Sequence, residues 1–501
     1  MTGPSGRSTA LAAVDLGASS GRVVLGRVGP DALELDEVAR FPGGAVRLPD
    51  GLYWDVLGLY RDVLAGLRDA GRAAGGLAGL AVDSWAVDYG LLDARGALRG
   101  NPRCYRDPRT QAALGRVHAA VDPAELYRVT GVAALPINTI YQLAAEPELT
   151  GLRALLLPDL LGYWLTGRQV AEETNASTTG LLDARTGRWA TGLFGRLGLP
   201  DGLLPDVVPA GHELAPVTDD VRDELGLDRA PLVTTVGSHD TASAVLGVPA
   251  TGPGFAYVSC GTWALVGVER DAPVLGEDSR AARFTNERGV DGTVRHLRNV
   301  MGLWLLSESL RTWERRGHPV DLEEVLAAAA ELPRGPVVAL DDPAFLPPGD
   351  MPARLADACR AADLPVPESP PAVVRCVLDS LAAAFADADD RAERLSGQRV
   401  EVVHVVGGGA RNTLLCQLTA DACGRPVVAG PVEATALGNV MVQAYARGYV
   451  ESLEQIRAVV RRSTDINRYT PGGGADEWDE LREKFSSVMH TSQTVEDLEG
   501  G

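Results

Sequence analysis

One shape occurs twice in this chain, and its repetition limits the folds open to it. Ala13-Val14-Asp15-Leu16-Gly17-Ala18-Ser19-Ser20-Gly21-Arg22-Val23-Val24-Leu25 reads as strand, tight turn, strand. Apolar runs flank a turn of Gly and small hydroxyl residues, and an acidic residue lies at the end of the first strand. The second copy lies 244 positions later, as Tyr257-Val258-Ser259-Cys260-Gly261-Thr262-Trp263-Ala264-Leu265-Val266. Aligning Gly17 on Gly261 divides the chain almost in half. One Gly-Ser turn alone is usually just a hairpin. Two in matching places are what a pair of facing phosphate-binding hairpins would need, because glycine lets backbone N–H groups approach an anion and hydroxyls add donors. Nucleotide phosphates are the expected ligand.

Composition narrows the chemistry. The 501 residues allow about three domains by length, but the half-chain repeat favours two large ones, each able to bury a full core. The net charge of −20 disfavours nucleic acid or an anionic membrane as partner. An acidic protein can still hold ATP where a divalent cation and backbone dipoles offset the repulsion. Lys484 is the only lysine. That excludes a Gly-x-x-x-x-Gly-Lys phosphate loop and a kinase-type strand lysine, and it argues against Schiff-base catalysis. Phosphate binding must then use backbone, hydroxyls, metal and arginine. The six cysteines (104, 260, 359, 376, 416, 423) show no Cys-x-x-Cys spacing. They read as reduced, mostly buried thiols of a cytoplasmic protein, with no zinc site. Neither a signal-peptide core nor a membrane-length apolar run is present in the sequence.

Along the chain, Tyr53 to Ala70 has apolar residues at helical spacing, and Leu77 to Leu92 reads as a strand containing Asp83-Ser84-Trp85-Ala86-Val87-Asp88-Tyr89-Gly90. Helices are expected near Pro108 to Val121, Leu152 to Leu165, Thr241 to Leu246, Met301 to Arg315 and Pro371 to Leu395. Short buried strands are expected at Pro231 to Gly237 and Val402 to Val406. Pro249 to Gly254 is the best linker signal. These readings divide the chain into an N-terminal domain over 1–248, a C-terminal domain over 249–485, and an acidic, frayed tail over 486–501.

Three further stretches could carry chemistry. Gly237-Ser238-His239-Asp240-Thr241 sits at a strand-to-helix junction, where a carboxylate can point into a ligand site. The plainer alternative is that Asp240 simply caps the helix. Gly407-Gly408-Gly409-Ala410-Arg411-Asn412 precedes a helix and permits close approach of a ligand, but many loops are glycine-rich. Cys104-Tyr105-Arg106-Asp107-Pro108-Arg109-Thr110 is dense in charge and reads equally as a solvated turn before a helix. His118, His212 and His318 have no partner spacing.

Taken in order, these pieces resemble the FGGY carbohydrate kinases of the actin-like ATPase superfamily, from about residue 11 to 475. To those already quoted the resemblance adds Pro158-Asp159-Leu160-Leu161, Glu173-Thr174-Asn175-Ala176-Ser177, Asn299-Val300-Met301-Gly302-Leu303-Trp304-Leu305-Leu306 and Glu433-Ala434-Thr435-Ala436-Leu437-Gly438. Each is modest alone; ten in order are specific. The resemblance implies an α/β fold of two actin-like (ribonuclease H-like) domains flanking a central cleft. It implies that Ala18, Ser19, Ser20, Gly21, Arg22 and Thr262 hold ATP phosphates, with Gly408 against the nucleoside. Ser307 stands where a glutamine often contacts the nucleotide. Asp15 would place Mg²⁺ through water. Ala86, His239, Asp240, Thr241 and Asn299 would line the sugar pocket, Ala86 standing where glycine is usual.

The implied activity is ATP- and Mg²⁺-dependent phosphorylation of a ketose at its C1 hydroxyl, with Asp240 as general base. The Ala-Ser-Ser-Gly-Arg turn and the Tyr-Arg-Asp-x-Arg-Thr stretch favour L-rhamnulose as the sugar over xylulose or glycerol. Alternatives are another ketose, such as L-fuculose or L-xylulose, or a non-catalytic sensor on the same scaffold. A monomer or homodimer with a small-molecule partner is expected.

Overall fold

A computed structural model gives the protein's structure over residues 9–29, 32–473, 477–478 and 480–481. The expected tail over 486–501 lies outside these residues. The chain packs as two units. The first holds the described residues of Met1–Thr251, Glu269–His296 and Glu433–Thr464; the second holds those of Gly252–Val268, Leu297–Val432 and Asp465–Gly501. Two later segments thus join the N-terminal unit, which a single cut after residue 248 does not capture. Packing follows apolar surface rather than chain order. The helix Ala434–Ala446 puts Ala436, Leu437, Val440 and Met441 into one core with Leu11, Ala13 and Val24.

The first unit is built on a six-stranded sheet in the order Glu213–Pro216, Leu232–Thr234, Gly79–Ser84, Thr9–Leu16, Ser20–Val28, Leu33–Pro42. Residues Leu11 to Leu16 are buried without a break, as expected for a strand covered on both faces. Thr9–Leu16 pairs antiparallel with Ser20–Val28 and parallel with Gly79–Ser84. The helix Val56–Ala74 covers one face. Its buried Val56, Leu59, Val63, Leu67 and Ala70 recur at helical spacing, Asp55 caps its start, and Gly75 at φ 68° ends it.

In the second unit the same pattern of strand pairing recurs. Its strands are six of a seven-stranded sheet and run Asn467–Tyr469, Val427–Ala429, Val402–Val406, Phe255–Cys260, Trp263–Arg270, Val294–Met301. Phe255–Cys260 pairs antiparallel with Trp263–Arg270 and parallel with Val402–Val406, as its counterpart does in the first unit. The edge strand is antiparallel in both sheets. The repeated hairpin is therefore the visible part of a repeated sheet. The long helix Pro370–Ser396 is buried along much of its length and ends at Gly397, φ 69°.

Several element boundaries differ from the sequence reading. Arg153–Leu156 is a strand, and the helix begins at Leu157 with Pro158 in its first turn. Met301 ends a strand, and Gly302 separates it from the helix Trp304–Arg315. The expected strand over Leu77 to Leu92 breaks into Gly79–Ser84 and Tyr89–Leu92 around Val87, whose φ of 69° cannot continue a sheet. All six cysteines are buried and free. Among the described residues no helix is long and apolar enough to cross a membrane.

Candidate active site

In the first unit, sheet register brings several acidic residues together. Asp15 and Asp83 are direct neighbours on parallel strands, and Asp15 faces Arg22 across the hairpin. Arg22 Nε and Nη2 donate to Asp15 Oδ2 at 2.9 and 2.6 Å. The same guanidinium pairs with Glu433 at the start of the helix Ala434–Ala446 and lies 3.9 Å from Glu37. Arg22 is thus held by carboxylates rather than left open toward an anion.

Asp83 is wholly buried. Its Oδ2 accepts from Asn439 Nδ2 at 2.6 Å, while its Oδ1 has no hydrogen-bond partner among the described residues. Gln443 donates to Asn439 Oδ1 at 2.9 Å and to the Ala12 carbonyl at 3.0 Å, which anchors this relay to the first strand. Burial, with the Asp15 charge beside it, pushes the Asp83 carboxyl well above the usual carboxylate range.

Asp240 opens the helix Asp240–Leu246, and the residue in the capping position is His239, which makes no capping hydrogen bond. The Asp240 carboxylate accepts from Thr241 Oγ1 at 3.0 Å, has His239 Nε2 at 3.5 Å, and is 30% exposed. Burial raises its proton affinity, and the Asp15 charge adds to this. His239 and the hydrogen bonds from Thr241 oppose the rise without cancelling it.

Two devices hold this junction. A bridge pairs Ser84 with His239, and the Ser84 N–H donates to the Ser238 carbonyl at 2.9 Å. Beneath it, the buried Glu172 carboxylate accepts from the Ser238 N–H (3.1 Å), Ser238 Oγ (2.7 Å), Thr174 Oγ1 (2.6 Å) and the Thr174 N–H (2.9 Å). The Thr174 hydroxyl in turn accepts from the His239 N–H at 3.3 Å. Glu172 therefore ties the Thr174–Ser177 stretch to the loop that carries Asp240.

Ala86 is half-buried next to Val87, whose strained carbonyl accepts from Thr139 Oγ1 at 2.7 Å. Ala18 packs against the core that holds Val14, Leu16 and Val23, Ser19 is exposed and Ser20 half-buried. Gly21 is buried, and a Cβ there would collide with the Phe41 ring. Its lack of a side chain thus has a packing reason.

Within the second unit three sequence stretches meet at one turn. Cys260 pairs with Ala264, so three residues form the tip, against four between Leu16 and Gly21 in the first hairpin. The Leu303 N–H donates to the Gly261 carbonyl at 2.9 Å, and the N–H groups of Gly302 and Trp304 to the Thr262 carbonyl at 3.2 and 3.3 Å. A Cβ on Gly302 would lie 2.6 Å from the Trp263 backbone carbon, and one on Gly409 would lie 2.5 Å from Cys260 Sγ. These glycines let the turn nest against its neighbours. Gly408 is different: it is exposed, and a Cβ there would meet nothing. Thr262 is half-buried at the tip, Ser307 half-buried in the helix Trp304–Arg315, and Asn299 half-buried on the strand Val294–Met301.

Sequence reasoning missed Glu172, Glu287, Arg295, Asn439 and Gln443 as parts of the site. A signal existed for the last two, since an Asn and a Gln four residues apart interrupt an otherwise apolar helix. Among the described residues no group of three His, Cys, Asp or Glu side chains could hold a metal ion.

Residues 57–247 match the N-terminal domain of the FGGY family of carbohydrate kinases, and residues 256–447 match its C-terminal domain. A rhamnulokinase of Bacteroides thetaiotaomicron is 39% identical over 95% of this chain and 99% of its own. One of Enterococcus faecalis is 37% identical over 92% of this chain and 94% of its own. Among solved structures, a gluconate kinase from Lactobacillus acidophilus superposes with a TM-score of 0.78 at 17% identity, over 97% of this chain and 98% of that one. A xylulose kinase from Rhodospirillum rubrum gives 0.75 at 20%, over 97% and 99%. Both share the two-sheet α/β architecture derived above. The chain belongs to the FGGY family of carbohydrate kinases.

Proposed function

We propose that this protein transfers the γ-phosphoryl group of ATP to the C1 hydroxyl of L-rhamnulose, giving L-rhamnulose 1-phosphate and ADP. The observation that carries this reading is 37–39% identity to rhamnulokinases over more than nine-tenths of the chain. In this reading Asp240 is the general base. Its carboxylate is surrounded but not sealed off, and its raised proton affinity suits a base that must take a hydroxyl proton. The C1 oxygen forms a bond to the γ-phosphorus as the bond to the β–γ bridging oxygen breaks. The hydroxyl proton passes to Asp240 and ADP leaves.

His239, Thr241, Ala86 and Asn299 are assigned to the ketose. Ala18, Ser19, Ser20, Gly21 and Arg22 in the first unit, with Thr262, Ser307 and Gly408 in the second, are assigned to ATP. The open face of Gly408 suits approach of a nucleoside. Arg22 would have to exchange a carboxylate for phosphate to take part. Asp15, held through one oxygen only, suits a Mg²⁺ ion that keeps most of its waters. When bound, Mg²⁺ supplies charge neutralisation on the phosphates. An ATP-dependent reaction and reduced thiols support a cytoplasmic location.

The test is a coupled ADP-release assay with Mg·ATP and a panel containing L-rhamnulose, L-fuculose, L-xylulose, D-xylulose and glycerol. L-rhamnulose should give the highest kcat/KM. A different preferred ketose would move the substrate assignment. ADP release no faster with any sugar than without would overturn the kinase reading.

A further inference from the structure

Beside Asp240 the structure buries an ion pair that the proposed chemistry does not use. Arg295, fully buried, donates from Nε and Nη2 to the Arg288 carbonyl, both at 3.1 Å. Its Nη2 also lies 3.0 Å from Glu287 Oε2 and 3.2 Å from His239 Nδ1. Glu287 is itself buried, and its Oε2 stands 3.1 Å from His239 Nδ1.

We infer that Arg295 fixes His239 in the tautomer that carries its proton on Nε2, so that the imidazole is a hydrogen-bond donor beside the Asp240 carboxylate. Two contacts support this independently. A guanidinium has N–H groups only and never gives up its charge, so a ring nitrogen bonded to it must accept. The Arg295 N–H is aligned on Nδ1, whereas among the described residues no N–H is aligned on Glu287 Oε2. At the far side of the ring, Nε2 faces Asp240 Oδ1 at 3.5 Å. A proton there faces an anionic oxygen favourably; a lone pair would face it at a cost. Glu287 Oε2, 3.1 Å from the same Nδ1, pulls the other way; the Arg295 hydrogen aligned on Nδ1 decides for the Nε2–H form.

The consequence is a division of labour. Asp240 accepts, while His239 donates and cannot serve as a second base. Arg295 is then a positioning residue, acting through His239, and Glu287 balances its buried charge. The donor's use toward a sugar oxygen rests on the ketose kinase reading; the tautomer does not.

Long-range ¹H–¹⁵N correlation on the full-length, ¹⁵N-labelled protein at neutral pH, without sugar or nucleotide, reads the tautomer directly. Seven histidines are present, and loss of one pattern in His239→Asn assigns this one. The expected pattern is a protonated Nε2 and a bare Nδ1. A proton on Nδ1, or on both nitrogens, overturns the inference. Arg295→Met should release the ring to the Nδ1–H form facing Glu287 and raise the ketose KM about tenfold with the ATP KM unmoved. An unchanged tautomer in that variant removes Arg295 from the role. If the variant does not fold, the wild-type spectrum still decides the tautomer. The ADP-release assay on wild-type protein separately decides the kinase reading.

Discussion

At the scale of single residues, Asp240 separates the two fates the sequence left open. It is the first residue of its helix rather than the capping one. As general base it is worth about 10²–10⁴ in rate, whereas a helix-terminal carboxylate contributes only ~0.5–2 kcal/mol of stability. Asp240→Asn keeps shape and local hydrogen bonding but cannot take the proton. Turnover should fall by about 10²-fold or more, with melting temperature and ligand binding near wild type; near-normal turnover would place the base elsewhere. The raised proton affinity of Asp240 adds a sign. The protonated, inactive form persists to higher pH than for an ordinary aspartate, so the acid limb of the kcat profile should lie above the usual carboxylate range. A second residue tests stability. Asp88, buried under hydrogen bonds from Gln142, Trp85 and Trp54, is pushed up to about 6 by burial. Its unfolded value is about 3.9. Between those pH values the native state holds the proton more tightly, so this group's contribution to stability declines as pH rises, by about 3 kcal/mol across the window. Urea unfolding at pH 4 to 7 should show that decline in the wild type minus the Asp88→Asn profile; parallel profiles would refute it.

At the scale of elements, what the sequence made legible depended on local pattern. The first hairpin, the helix Val56–Ala74, the strand Val402–Val406 and the long helix Pro370–Ser396 announce themselves through apolar periodicity and through cap residues such as Asp55 and Gly397. The residues that hold the loop carrying Asp240 were not legible. Glu287, Arg295 and Glu172 reach it through strand register and loop docking, which have no local signature. The motif Glu433–Gly438 was visible, but its reason was not. Gly438 lets the helix Ala434–Ala446 lie directly on the helix Asp240–Leu246, since a Cβ there would collide with the Ser243 backbone oxygen. Backbone cannot swing aside as a side chain can. Gly438→Ala should therefore cost about 1–3 kcal/mol and also lower turnover, because the helix that must yield carries Asp240. Gly408→Ala, where a Cβ meets nothing, is the control and should leave melting temperature unchanged. Equal melting temperatures for the two variants would show that the helix contact is looser than the structure has it.

At the scale of the whole molecule, one sheet plan is used twice, and the two copies have diverged in ways that suit different work. In each, the first strand of the hairpin pairs antiparallel with the second and parallel with a strand from later in the chain. The first sheet carries carboxylates at its strand ends, Asp15 and Asp83, with Asp240 on the adjoining helix. In the second, Val258 and Ser259 approach a turn of Gly261 and Thr262, and the facing strand leads into Gly407, Gly408 and Gly409. Anionic groups suit a base and a metal; glycine N–H groups and a hydroxyl suit phosphate oxygens and a nucleoside. That asymmetry predicts a split in kinetics. Removing the hydroxyl in Thr262→Ala takes away one donor to an anionic oxygen, worth about 1.5–3 kcal/mol. The apparent KM for ATP should rise, or turnover fall, roughly ten- to a hundredfold in combination, while the ketose KM stays within about twofold. Initial rates over a grid of ATP and ketose concentrations measure both constants at once. A loss falling equally on sugar and nucleotide would mean that the second hairpin does not serve the nucleotide alone, and an unchanged protein would remove Thr262 from the site.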